Sequence, residues 1–475
     1  MDDGLYIKFV EIHTEQMTTA EAHRTCMFIY WHRALLLAFE NMLRSYGGEF
    51  ACITVPYWDY VSHNTLFLAG RCNSLEDCSP ILRELGGSTS GRPRTVNVNG
   101  TPINGRCVSA RPGNHFCEAS NVRGPACAQC LPRGDWSSTG FPATTSVSSL
   151  MRQLFSSPTI SSVATNLEQG VHNTIHSSLG GAMGLLEAPA DPIFWSHHTA
   201  IDLLHSIFYH CAVGNTVPMS LAEKLADPRQ ATQCQRRMPL PRMGPRAIDS
   251  NVLLPQSNIM FRSGGALEAA DSVHDPQNPL EQFFAPLATE YLSYSDIRDL
   301  GTFSYNYEMS GLLASMYTTC ADISALLGGG DGGPAAVGPA GPFGGGGGFR
   351  RLEDEASESS FLEAVIIPNK QEAASNEGDW YREALRAALN ASSVIASQNP
   401  AVSATALALR EVEKMTCMFY DECRGNVTDF TATFRSSFHT NASTPCFTVV
   451  SDVKSGRDAM LVTNWKDILL QFLSC

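Results

Sequence analysis

Nine of the thirteen histidines in this 475-residue chain fall in two stretches with helical periodicity, and that clustering constrains the fold more than any other feature. His13, His23 and His32 lie in the first stretch; His172, His176, His197, His198, His205 and His210 lie in the second. In GVHNTIHSSLGG, His172 and His176 are four apart, so both rings can turn from one helical face toward a common point. Alone, such a pair equally suits a helix that merely buries or exposes two imidazoles. Three histidines on one pair of helices and three on another instead suit two metals facing each other inside a helix bundle. A zinc protease would carry Glu directly after the first histidine as its general base, and Asn173 occupies that place. Shells built from imidazole, without carboxylate or thiolate, lean toward copper, and open positions on the metal invite dioxygen.

The rest of the chain divides around these stretches. EAHRTCMFIYWHRALLLAFENMLRSYG is apolar at three- and four-residue intervals and stops at Gly47-Gly48; ITVPYWDY then reads as an extended or turn segment. Residues 61 to about 140 scatter Cys72, Cys78, Cys107, Cys117, Cys127 and Cys130 among turn formers, which predicts a disulfide-tied insertion. CAQC could be half of a zinc knuckle, but no second pair follows at the usual spacing, so disulfides are expected. Helices resume from 145 to about 320. The glycine-rich run that follows cannot support a packed core and reads as a linker. The organisation is therefore a histidine-bearing unit over 1–322, a Gly/Pro-rich linker over 323–350 and an extension over 351–475. The extension carries two amphipathic helices and a Cys-containing, Thr- and Val-rich tail, a smaller α+β unit.

A formal charge of −14, with no Lys/Arg-rich run, argues against nucleic acid as a partner, and no apolar stretch approaches the ~20 residues of a membrane span. Fifteen cysteines suit an oxidising compartment, and sequons at Asn99, Asn390, Asn426 and Asn441 favour a secreted glycoprotein. MDDGLYIKFVEIH lacks the apolar core of a signal peptide, so an amino-terminal piece is expected to be missing.

HRTCMFIYWHRALLLAFE resembles the first copper motif of the tyrosinase, catechol oxidase and mollusc haemocyanin group: H-x8-H, the second His within W-H-R, with Phe39-Glu40 seven residues on. VHNTIH followed by DPIFWSHHTAID resembles the second motif, and PYWDY and FSYNY match family landmarks in the right order. The resemblance covers about residues 5 to 310, and the whole chain resembles secreted enzymes of fungal or water-mould type. It implies a mainly α fold, a four-helix bundle holding a dicopper site. His13, His23 and His32 would hold one copper ion, and His172, His176 and His198 the other. His13 is expected in a loop. In the His-His pair the family's ligand is the second residue, so His197 would orient the site rather than bind metal. Phe194 would pack against the ligand rings, and Asp202 and Asp59 would accept ring N–H bonds. His205 is expected to pack, Arg33 to form an ion pair, and Tyr305 and Tyr307 to close the domain.

The activity implied is oxidation of small phenols by O2 to o-quinones. Hydroxylating a monophenol requires its deprotonation near neutral pH, against an ordinary phenol pKa of about 10. Glu168 and Asn173 align with the residues that hold and polarise a water for this step, and Leu185 aligns with the gate over one copper. The family's covalent Cys–His link is not carried over, because Cys26 follows His23 rather than preceding it. Leu203 stands where an Arg usually follows the Asp, leaving one ion pair in doubt. The alternatives are an oxidase of diphenols alone, a haemocyanin-like O2 carrier, which turnover of a catechol would exclude, and a metal-free module, which measured copper content would exclude. The extension could shield the cleft, in which case cleavage within 325–350 raises activity.

Overall fold

The computed structural model describes residues 1–214, 217–230, 233–236, 252–264, 269–320, 362–364, 378–399, 401–425 and 427–475. The first periodic stretch does not form one helix. It divides into α1 (Leu5–Thr14), α2 (Gln16–Ala22) and α3 (Phe28–Arg44). The breaks come from local polar groups that an apolar pattern does not register. Glu15 leaves α1 in an extended conformation and caps α2 by accepting from the Thr18 N–H. His23 is extended as α2 ends, and Arg24 takes a left-handed φ of 57°. His23 thereby sits in the break, while His13 is in the last turn of α1 rather than in a loop.

α3 is buried along most of its length and packs against the long helix α8 (Ile193–Val213), with Phe39 stacked on Trp195 at 3.6 Å between ring centroids. Between them in sequence come α4 (Tyr60–Leu68), α5 (Val147–Phe155), α6 (Ile160–Leu167) and α7 (Asn173–Leu179). α6 joins α7 through a widened turn, Glu168–His172, in which Gly170 departs from helical geometry (φ −90°, ψ −110°). The Gln153 side chain fills this turn and accepts from the Val171 N–H at 2.8 Å. A Cβ at position 170 would lie 2.2 Å from Gln153 Oε1, so a larger residue there would push the Gln153 side chain out of the turn. Widening rotates His172 relative to α6 and delivers its ring to the interior.

The insertion carries a three-stranded antiparallel sheet, β1 (Arg92–Val98), β2 (Thr101–Val108) and β3 (Leu131–Arg133). Its cysteines pair as Cys72–Cys78, Cys107–Cys130 and Cys117–Cys127, so CAQC belongs to two disulfides. Cys26 is bonded to Cys234 and Cys211 to Cys320.

The linker lies outside the described residues. Beyond it, α10 (Asp379–Gln398) and α11 (Ala404–Cys423) are the two expected amphipathic helices; α9 (Gly311–Thr319) precedes them. The tail is helical, with α12 (Ala432–Phe438), α13 (Pro445–Lys454) and α14 (Trp465–Leu469). Among the described residues the strand content expected of this unit reduces to β5 (Leu362–Ala364), which pairs in parallel with β4 (Tyr305–Tyr307) of the first unit. α11 lies on α4 and α5: Tyr420 stacks on Phe67, Ser148 Oγ donates to Thr416 Oγ1 at 2.9 Å, and Arg152 pairs with the buried Glu413. One continuous apolar core runs through both units. Cys417–Cys446 and Cys423–Cys475 close the extension on itself.

Candidate metal centre

Two groups of buried histidines meet inside the helices. The ligand atoms of His13, His23 and His32 lie within 4.8 Å of one another, as do those of His172, His176, His197 and His198. α1, the α2–α3 break and α3 supply the first group; the widened turn, α7 and the start of α8 supply the second.

Hydrogen bonds on the outer edge of five of these rings bear on which nitrogen faces inward. Nδ1 of His13 bonds the Leu186 carbonyl at 2.6 Å, that of His32 the Phe28 carbonyl at 2.8 Å, and that of His176 the Met183 carbonyl at 2.7 Å. A carbonyl only accepts, so each of these rings carries its proton on Nδ1 and presents an Nε2 lone pair to the interior. His23 Nδ1 meets Thr19 Oγ1 at 3.1 Å, and His172 Nδ1 meets Asn173 Oδ1 at 2.9 Å. Nε2 of His32, His172, His176 and His198 is buried without a hydrogen-bond partner. Leaving several convergent acceptors unsatisfied in an apolar interior costs about 1–3 kcal/mol each, a cost that a coordinated cation removes.

Burial pushes the imidazoles of His32, His172, His176, His197 and His198 well below their ordinary pKa, and repulsion between neighbouring rings adds to the effect. The rings are therefore neutral around pH 7, the form that binds metal. The two groups abut: His32 and His198 stack at 4.1 Å with an interplanar angle of 9°, and His23 lies 6.1 Å from His172. Phe194 packs 4.2 Å from His198 and 5.2 Å from His13; Phe28 packs 4.8 Å from His32 and 4.7 Å from His172. These phenyl rings keep the space between the groups apolar.

Residues 3–210 match the common central domain of tyrosinase. The chain is 30% identical over 223 residues to a tyrosinase of Streptomyces glaucescens, a match covering 42% of this chain and 71% of that protein. It belongs to the tyrosinase family. It is also 28% identical over 216 residues to tyrosinase-like protein phomQ1 of Diaporthe leptostromiformis, and 26% identical over 210 residues to a tyrosinase of Oryzias latipes. Those matches span 51% and 36% of the respective proteins.

For a member of the tyrosinase family, the surroundings of the histidines differ from expectation at several points. Asp202 accepts no imidazole N–H. It is bound by Arg33 Nε at 2.6 Å, Tyr305 OH at 2.5 Å and Tyr307 OH at 2.6 Å, a buried knot tying α3, α8 and β4. Arg33 thus provides the ion pair that Leu203 cannot, and its Nη2 also meets His205 Nδ1 at 3.0 Å. Asp59 is likewise no partner of a ring; it caps α4 by accepting from the Ser62 N–H and hydroxyl. Main-chain carbonyls take the ring protons of His13, His32 and His176 instead, and no sequence pattern marks a carbonyl. His197 lies 5.4 Å from His172 and 5.0 Å from His176, close enough to rank with the ligand group. Leu185, expected over one copper, and its neighbour Leu186 face different clusters. Leu185 packs on the cluster of Ile7 and Val10, whereas Leu186 packs against Phe430, Phe434 and Phe438.

Asn173 touches the centre through His172, and Glu168 bonds the main chain of the residue after His23. Glu168 is buried, and its Oε1 accepts from the Arg24 N–H at 2.6 Å. Asn173 presents Oδ1 to His172 and Nδ2 to Gln169 Oε1 at 3.4 Å. Phe438, from the extension, was not legible in the sequence. Its ring lies 5.3 Å from His176, 5.5 Å from His23 and 6.4 Å from His172, edge-on or tilted to each. The segment is held by Arg24 on the His439 carbonyl, by the Leu186 N–H on Ser437 Oγ at 3.1 Å and by Thr440 Oγ1 on Gln169 Oε1 at 3.2 Å.

Proposed function

We propose that the chain is a secreted, copper-dependent phenol oxidase that ortho-hydroxylates monophenols and oxidises o-diphenols to o-quinones with O2. His13, His23 and His32 would hold one copper ion and His172, His176 and His198 the other. The observation that carries this reading is the pair of abutting, buried imidazole groups with inward lone pairs. When bound, a copper pair supplies the O2 and electron chemistry, and neutral imidazoles, five of the six anchored at Nδ1, suit it.

The residues of the chain do the rest. Phe28 and Phe194 exclude water from between the histidine groups, and His197 braces His172 and His176 from the side. Glu168 and Asn173 deprotonate an incoming monophenol, the carboxylate taking the proton and the amide orienting the acceptor beside His172. A diphenol needs less of this help. The extension keeps the enzyme latent, with Phe438 occupying the mouth where a substrate ring would enter.

The test is copper-loaded full chain carrying Phe438→Ala, assayed with a monophenol and its catechol. Turnover of both supports the reading, and Glu168→Gln or Asn173→Asp should depress monophenol turnover at least tenfold more than catechol turnover. Catechol turnover alone would leave a diphenol oxidase, and reversible O2 binding without turnover would leave an oxygen carrier.

A further inference from the structure

Arg24 stands at the mouth of the histidine centre without a part in holding metal or moving a proton. It directly follows His23, its backbone is left-handed (φ 57°), and its N–H donates to Glu168 Oε1 at 2.6 Å. These features set the direction of an exposed side chain, whose Nη1 donates to the His439 carbonyl at 2.5 Å. His439 follows Phe438, the residue whose ring lies against His23 and His176. The extension therefore offers the centre an aromatic ring and, one residue on, an acceptor oxygen seated on a guanidinium. A phenol bearing a short carboxylate tail presents the same two features in one molecule.

We infer that Arg24 is a specificity-determining residue that grips the carboxylate of an anionic phenol of the arylalkanoate class, and that Phe438 and His439 hold that substrate's place in the latent protein. The substrate assignment rests on the phenol-oxidase reading. A carboxylate is a stronger partner for guanidinium than a neutral carbonyl, and it can engage two N–H groups at once where the carbonyl takes one. An anionic phenol therefore displaces the His439 oxygen from Arg24. Glu168 opposes the incoming anion, but it is buried and its Oε1 is bound to the Arg24 main chain, so the guanidinium is the group nearer the entrance. In a chain of net charge −14, a cation at the mouth also selects which anions approach.

The experiment uses the full chain with Phe438→Ala, comparing it with the same chain carrying Arg24→Asn, which tolerates a left-handed backbone, or Arg24→Lys, which keeps the charge. The first readout is the ratio of kcat/KM for dihydroxyphenylpropionate to that for ethylcatechol. Arg24→Asn is expected to lower this ratio about tenfold and Arg24→Lys by less than about threefold, as befits loss and retention of a charge-assisted contact. The second readout is calorimetric binding of hydroxyphenylpropionate and ethylphenol to protein without added metal, where the same preference should appear and fall with Arg24→Asn. A ratio and a binding preference both unmoved by Arg24→Asn overturn the inference. Binding that depends on Arg24 in a protein that oxidises neither catechol upholds the anion site and rejects the oxidase reading instead.

Discussion

Replacing Phe438 by Ala should convert the latent protein into an active one without touching a histidine. The ring is 3% exposed, stacks on Phe434 at 4.4 Å and lies against three imidazole rings. Truncating a buried Phe to Ala costs about 3–5 kcal/mol, and here the cost falls on the capped state alone, because in the uncapped state the ring is in water. Taking about 3 kcal/mol, the equilibrium between capped and open forms moves roughly 100-fold toward open. The remaining hold, Arg24 on His439, Leu186 on Ser437 and Thr440 on Gln169, consists of exposed or half-exposed hydrogen bonds of about 1 kcal/mol each, so it does not restore closure. The assay is initial catechol oxidation by full-length wild type and variant at equal copper content. A rise of one to two orders of magnitude is expected. Equal rates at equal copper would refute the claim that the ring closes the site. Cutting the linker should do far less than this substitution. The contacts of α11 with α4 and α5 are buried and independent of residues 325–350, so the fragments should co-elute and stay latent. Spontaneous separation after cleavage would show those contacts to be too weak for the role.

Acid should weaken the fold through a histidine outside the centre. His63 Nδ1 accepts from Trp58 Nε1 at 3.2 Å, and burial pushes its pKa down to about 3. The unfolded chain binds that proton near 6.5 and the folded chain does not, so stability present above 6.5 is lost as pH falls toward 3. The loss is about 2 kcal/mol by pH 5. Thermal unfolding of wild type and His63→Gln from pH 7.5 to 5 should show the shallower dependence in the variant; parallel curves would sink the assignment. Asp202→Ala should cost about 3–5 kcal/mol in denaturant unfolding, since it strands the buried Arg33 charge. It should also lower metal content, because the knot aligns α3, which carries His32, with α8, which carries His198. A loss below 1 kcal/mol would mean that water reaches Arg33.

Helical periodicity and histidine spacing were legible because they are local: ridges at three and four residues place His172 and His176 on one face whatever the helix packs against. The same holds for the amphipathic α10 and α11, and for cysteines among turn formers pairing within the insertion. The break at His23 was not legible, because it depends on one extended and one left-handed residue inside an apolar pattern. Nor were the carbonyls of Leu186, Phe28 and Met183, since every residue has one and only chain geometry brings a particular one to an imidazole. Asp59 and Asp202 had suitable chemistry but found nearer partners in Ser62, Arg33 and two tyrosines.

Sequence alone determined which side chains could form an all-imidazole centre, because ligand type and helical spacing are properties of residues and their near neighbours. Tertiary structure alone decided how the two histidine groups face each other, which nitrogen His13, His32 and His176 turn inward, and that Phe438 lies against His23, His172 and His176. Those outcomes rest on contacts between segments far apart in the chain, whose pairing is chosen by packing of the whole core rather than by any local pattern.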